Sequence, residues 1–154
     1  MRFLNLQLRA FGPFTGVTLD FSAKPSAIQI VYGPNEAGKS TALRAVQGLL
    51  FGIPERTGDS FVHENQALRI GAAVERSTGD QLTFLRRKGR NNTLLDANED
   101  ALSEDALRPF LHGINENLFA SAFGLNHEIL VKGGLDLAAG KGEIGEILFG
   151  AGLG

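Results

Sequence analysis

Gly33-Pro34-Asn35-Glu36-Ala37-Gly38-Lys39-Ser40-Thr41 fits the pattern G-x-x-x-x-G-K-[ST], and its flanks are what give the match weight. Ahead of it runs the apolar stretch Ile28-Gln29-Ile30-Val31-Tyr32. Behind it Ala42, Leu43, Ala45, Val46, Leu49 and Leu50 recur at helical spacing until Gly52 and Pro54 stop the pattern. The order is therefore strand, glycine loop, helix, with a buried strand expected over Ala27–Tyr32 and a core helix over Lys39–Phe51. A polyphosphate carries several negative charges that only converging backbone N–H groups and a cation neutralise together. Gly33 and Gly38 carry no Cβ to obstruct the curl of such a loop. Lys39 is placed to reach the β- and γ-phosphates and the Ser40 hydroxyl to ligate Mg²⁺, a hard cation that takes few protein oxygens. The positive end of the helix dipole acts in the same sense. With Pro34, Asn35, Glu36, Ala37 and Thr41 completing the loop, the stretch predicts a site for a nucleoside triphosphate and its magnesium ion.

The rest of the chain bounds the setting of that site. At 154 residues and 43% hydrophobic content it is long enough for one domain with a genuine core. A formal charge of −2 argues against a protein held to nucleic acid by its overall field, although a local basic patch is still possible. There is no cysteine, which excludes a disulfide framework and thiolate metal sites and fits a reducing compartment. No apolar run reaches membrane-spanning length, and the start of the chain alternates instead of forming a signal core, so a soluble cytoplasmic protein without membrane partners is expected.

Phe3, Leu4, Leu6 and Leu8 alternate with polar residues and predict a half-buried strand ending at Ala10-Phe11-Gly12-Pro13-Phe14, with a second strand over Val17–Phe21. Glu55–Gln66 is polar and patternless and reads as a loop. Strands follow over Leu68–Arg76 and Gln81–Arg87, joined by Ser77-Thr78-Gly79-Asp80, and a third short strand is expected near Thr93-Leu94-Leu95. Ser103 with Glu104 and Asp105 marks a helix start that Pro109 should kink or end. Asn115 suits the cap of another helix, with Leu118, Phe119, Ala122 and Phe123 on one face. From Gly133 onward eight of the chain's twenty glycines fall within 22 residues, which predicts a mobile tail over 133–154 after a nucleotide-binding lobe over 1–132.

Taken together, the Phe11-Gly12-Pro13-Phe14 turn between two strands, the GPNEAGKST loop, the Leu-Leu-Phe-Gly helix end and the strand opening at Leu68-Arg69-Ile70-Gly71-Ala72 resemble a known family. It is that of the SMC-like, coiled-coil ABC ATPases, and within it the YhaN-like AAA proteins. The resemblance spans nearly the whole chain. It implies an α/β P-loop NTPase fold, an N-lobe with mixed and antiparallel strands around the phosphate-loop helix, incomplete without a C-terminal lobe. It also implies ATP and Mg²⁺ as ligands, a coiled coil and C-lobe carrying the Walker B acids and ABC signature, head-to-head homodimerisation, and service in DNA repair or DNA-end processing.

Position by position, Lys39 and Ser40 match the family's phosphate and magnesium residues, and Asn35 and Gly38 its loop residues. Phe123-Gly124-Leu125-Asn126-His127-Glu128 falls at the Q-loop, with Asn126 where the family has Gln. Asn offers the same carbonyl and amide on a side chain one methylene shorter, so Asn126 stands as a nucleotide and metal contact whose reach is open. His127 is the weaker substitute, and an ordinary turn role for Asn126 is an equal alternative. Arg69 falls where the family has an Arg near the nucleotide or DNA, or else is an ion-paired strand residue.

No Walker B motif is present: Asn92-Thr93-Leu94-Leu95-Asp96 has too few apolar residues and continues into Ala97. Leu130-Val131-Lys132-Gly133-Gly134 lacks the serine of an ABC signature and reads as a glycine loop. Without those parts the chain is expected to bind nucleotide far better than it hydrolyses it, and no catalytic residue is assigned within it. Arg86-Arg87-Lys88-Gly89-Arg90 puts four positive charges in five residues, a possible DNA contact through Arg86, Arg87, Lys88 and Arg90 or a solvated strand edge. His63, His112 and His127 have no metal-ligand spacing. A stand-alone P-loop kinase and a non-catalytic nucleotide-gated interaction module are the alternative readings. A kinase would usually place the loop after its first strand, whereas here two strands precede it.

Overall fold

The computed structural model describes residues 1–23 and 28–124, together with Val131 and Leu135. Met1–Glu116 forms one compact unit, and the chain from Asn117 a second. The first unit is built on five strands: β1 (Arg2–Phe11), β2 (Phe14–Asp20), β3 (Arg69–Glu75), β4 (Gln81–Arg87) and β5 (Leu94–Leu95). They form one sheet in the order β2-β1-β3-β4-β5, and every neighbouring pair is antiparallel.

Alternation along each strand decides which face is buried. The register sets Leu6 opposite Ala72, Leu8 opposite Ile70, Ala72 opposite Phe84 and Arg86 opposite Leu94, so these side chains share a face. Nearly all of that face is withdrawn from solvent. α1 (Lys39–Phe51) lies against it through Ala45, Leu49 and Leu50. Gly48 brings the helix down on the sheet: a Cβ there would stand 3.6 Å from Ile70 Cδ1 and 3.5 Å from Ile53 Cγ1. Between Leu8 and Ala10 the pairing of β1 with β3 shifts by one residue. That bulge reverses the alternation, so Phe11, not Ala10, turns inward beneath the start of α1.

β1 and β2 are joined by two residues only, Gly12 and Pro13, with Gly12 at φ 55 as such a connection requires of its first residue. After β5 a 3₁₀ turn over Glu104–Leu107 leads into α2 (Arg108–Leu111). Ser103 caps it by accepting from the Asp105 amide at 3.2 Å, as expected. The segment is short and broken, as expected, into the 3₁₀ turn and α2; Pro109 sits in the first turn of α2, where its missing N–H costs nothing, and His112 in the left-handed region ends it. α3 (Glu116–Ala122) follows Asn115, with Phe119 and Phe123 stacked at 6.0 Å between ring centroids. The glycine-rich stretch from 133 lies, apart from Leu135, outside the described residues.

One element departs from expectation. Residues 28–32 join no strand pairing, and Ile28, Ile30 and Tyr32 are exposed, at 91%, 78% and 90%. An apolar run of this kind becomes a buried strand only when neighbours supply both backbone partners and cover. Neither is supplied by the antiparallel sheet, whose five strands are arranged without it. Gln29 ties the segment back to the end of the hairpin, its Nε2 donating to the Phe21 carbonyl at 2.6 Å.

Candidate functional site: the phosphate loop and its brace

The site begins where α1 begins. Gly38, at φ 88, occupies the N-cap position in the left-handed region, no side chain caps the helix, and no acid lies in its first turn. The first helical hydrogen bond runs from Ala42 N to Gly38 O at 2.8 Å, so the amides before it have no partner within the helix. An uncapped, acid-free helix start is a concentration of positive partial charge facing outward. Glu36 also adopts a positive φ of 68, which curls the loop ahead of it.

Lys39 lies across this curl. Its Nζ donates to the carbonyl oxygens of Gly33 and Pro34, each at 2.7 Å. Two of the three ammonium donors thus hold the loop's own backbone while the side chain stays exposed. Gly33 is held close in the same curl: a Cβ there would come within 3.1 Å of the Ala37 Cβ. Pro34 O also accepts from Ala37 N at 3.3 Å. Asn35, Glu36 and Ser40 are exposed around the opening. Thr41, the last residue of the motif, faces the other way and is buried against the β1–β2 turn. Exposed amides, a lysine and a free-standing hydroxyl make a donor set that fits a magnesium-bound polyphosphate.

What holds the loop in place was not legible in the motif. The edge of Phe14, at the start of β2, presses on Gly38, where an added Cβ would stand 2.9 Å from the ring's Cε2. Next to it a Cβ on Gly12 would meet Thr41 Cγ2 at 2.5 Å. Behind both sits Asp59, a residue of the patternless loop and almost fully buried. Its carboxylate takes two hydrogen bonds from Arg44, Nε to Oδ2 at 2.9 Å and Nη2 to Oδ1 at 2.6 Å. The same Nη2 donates to Thr41 Oγ1 at 3.0 Å. The Asp59 carbonyl accepts from the Gly12 amide at 2.8 Å, and its amide donates to Thr57 Oγ1 at 3.2 Å. Hydrogen bonding to Asp59 raises the Arg44 pKa above an already high value, so this cation is permanent. His63 closes the far side, its Nε2 lying 2.8 Å from the Phe14 carbonyl and 3.1 Å from Thr15 Oγ1. A nitrogen that meets a carbonyl carries the proton, so Nε2 is the donor.

The basic cluster of β4 is largely structural. Arg86 is 1% exposed, which removes it from any contact with DNA. Its guanidinium donates to the Leu49 and Leu50 carbonyls at the end of α1, to Thr93 Oγ1 at 2.9 Å, and to both oxygens of Glu104. The strand's alternation forces this: Arg86 shares the α1 face with Phe84, and a cation there must meet the helix's orphan carbonyls. Arg87 donates to the Asn91 and Asn92 carbonyls, Lys88 to those of Pro54 and Glu55, and Arg90 pairs with Glu55 at 2.8 Å. These three remain at the surface. Arg69 donates from Nη1 to the carbonyls of Gln66 and Leu68, a backbone clamp and not an ion pair. Asp96, at the rejected Walker B position, accepts from the amides of Asn98 and Asp100 and shapes a turn. Asn126 and His127 lie outside the described residues. Among the described residues, no helix is long and apolar enough to cross a membrane.

The model of a family described as AAA domain matches residues 1–154. The chain is also 28% identical over 137 residues to an uncharacterized protein, YhaN, of Bacillus subtilis (strain 168). That alignment covers 82% of this chain and 13% of YhaN, so the chain spans a small part of the relative's length. The likeness to YhaN-like AAA proteins read from the loop and its flanks is thus met over the chain as a whole. With its glycine loop curled at the head of α1 and the match running from end to end, the chain belongs to the AAA domain family and so to the P-loop NTPases.

Proposed function

We propose that this chain is the N-terminal lobe of an SMC-like ABC ATPase, binding ATP and Mg²⁺ at the phosphate loop and hydrolysing ATP only in company with a C-terminal lobe. The observation that carries the reading is the uncapped start of α1, with Lys39 spanning the Gly33 and Pro34 carbonyls beside an exposed Ser40. In this reading Lys39 gives up at least one backbone carbonyl to reach the β- and γ-phosphates, and the amides of the first turn take the remaining oxygens. Ser40 holds Mg²⁺, which supplies charge neutralisation across the phosphates. Asn126 serves at the Q-loop position.

The exposed run at residues 28–32 supports the second half of the proposal. It leads straight into the phosphate loop, and an apolar segment that exposes Ile28, Ile30 and Tyr32 to water needs cover from a further lobe. A coiled coil joining the lobes, a homodimer of heads and a task in DNA repair belong to the same reading. In the assembled protein DNA is met by Arg87, Lys88 and Arg90, not by the buried Arg86.

The test compares this chain with the same chain extended to the length of its relative. Both should bind ATP, and only the longer protein should release phosphate at an appreciable rate. Equal turnover by the short chain, or transfer of phosphate from ATP to an acceptor hydroxyl, would favour a stand-alone kinase instead.

A further inference from the structure

Arg44 stands three residues past the last position of the phosphate-loop motif and Asp59 eighteen past it, in a loop with no pattern of its own. Nothing in the motif asks for either. Yet Asp59 joins three segments at one point: its buried carboxylate holds Arg44 of α1, which in turn donates to Thr41 in the first turn, its carbonyl takes the Gly12 amide of the β1–β2 connection, and its amide holds its own loop through Thr57. Thr41 follows Ser40 directly in the first turn. A rotation of that turn that moved Thr41 off Arg44 would swing the Ser40 hydroxyl and the Lys39 side chain with it, because a helical turn moves as a unit.

We propose that Asp59 is a positioning residue for the nucleotide site. Through Arg44 it fixes the azimuth of the first turn of α1, and so the direction in which Ser40 and Lys39 face the phosphates and Mg²⁺. The proposal rests on the reading of the loop as an ATP site. Its geometry is particular: the bond pair is bidentate, the carboxylate is 4% exposed, and Gly12 leaves no space for the turn to slide toward the hairpin. A guanidinium fork against a carboxylate sets both distance and angle, which a single contact would not. Second-layer partners of this kind typically govern ligand affinity by about 10- to 100-fold.

The test is Asp59→Asn, which keeps the size of the side chain but accepts only one of the two Arg44 bonds. ATP affinity is measured with Mg²⁺ and with chelator, at a temperature where circular dichroism shows each protein folded. Asp80→Asn serves as the control, because it removes an Arg–Asp pair, that with Arg76, from the β3–β4 hairpin, away from α1. Asp59→Asn should lose about tenfold in Mg²⁺-ATP affinity, with a smaller loss under chelation, because the Ser40 hydroxyl is the misdirected group. Asp80→Asn should match the unaltered chain. A merely structural Asp59 would lower the unfolding midpoint and leave the ratio of the two affinities unchanged, and that result would overturn the proposal. Failure of the unaltered chain to bind ATP would overturn the reading of the site itself.

Discussion

Gly38→Ala is the substitution on which the geometry of the loop speaks most directly. Gly38 sits at φ 88, in the region that side chains with a Cβ avoid. Forcing alanine there costs about 1–2 kcal/mol in backbone strain. The new Cβ would also stand 2.9 Å from Phe14 Cε2, with Cζ nearer still, and the ring must move. Such overpacking costs a further ~1–3 kcal/mol. Together these predict a loss of about 2–5 kcal/mol, or a fall in midpoint of roughly 5–15 °C for a domain of this size. The two contributions separate in a double-mutant cycle with Phe14→Ala. Removing the ring relieves the clash but not the strain, so Gly38→Ala should cost only about 1–2 kcal/mol in that background. Urea unfolding of the four proteins, followed by circular dichroism, measures both steps. Strict additivity of the two substitutions would refute the contact between Phe14 and the loop. A neutral Gly38→Ala would refute the left-handed curl altogether.

Two further predictions concern charge. Arg86→Met should cost about 2–4 kcal/mol, because the Leu49 and Leu50 carbonyls lose the donor that serves them, whereas Arg90→Gln should change stability by less than about 0.5 kcal/mol; chemical denaturation of both variants checks the order. Glu75 is held below its ordinary pKa by hydrogen bonds from Gln81 and from Arg2. A carboxyl whose folded pKa is depressed gives stability that is complete above the unfolded value and lost as pH falls through the folded one. Unfolding midpoints measured downward from about pH 5 should therefore fall, and Glu75→Gln should flatten that limb. An unchanged slope in the variant would remove Glu75 from the account.

Much of this was readable in advance because it depended on short-range chemistry. α1 runs over Lys39–Phe51 and β4 over Gln81–Arg87 as their apolar spacing and stop signals require. The curl at Gly33 and Gly38 follows from glycine's freedom near a crowded backbone. The brace was not readable. Asp59 is one of three acids in a polar loop, with Glu55 and Glu64, and only the fold reveals that it meets Arg44 and Gly12. Arg86 misled in the opposite sense: four cations in five residues suggest a surface, but strand alternation turns this one under α1. The run at Ile28–Tyr32 failed as a strand for a third reason. Its pattern reports what the segment prefers to be buried against, and pairing also needs partners that the described sheet does not offer.

The central claim is that the start of α1 and Lys39 form a cradle for polyphosphate. Calorimetric titration of this chain with Mg²⁺-ATP, beside the Lys39→Ala variant, addresses it without reference to turnover. Loss of two charge-assisted contacts of about 1.5–3 kcal/mol each should weaken binding at least about 100-fold, while the exposed position of Lys39 leaves the fold intact. Saturable binding in the unaltered chain and none measurable in the folded variant is the predicted outcome. Equal affinity in the two proteins would contradict it.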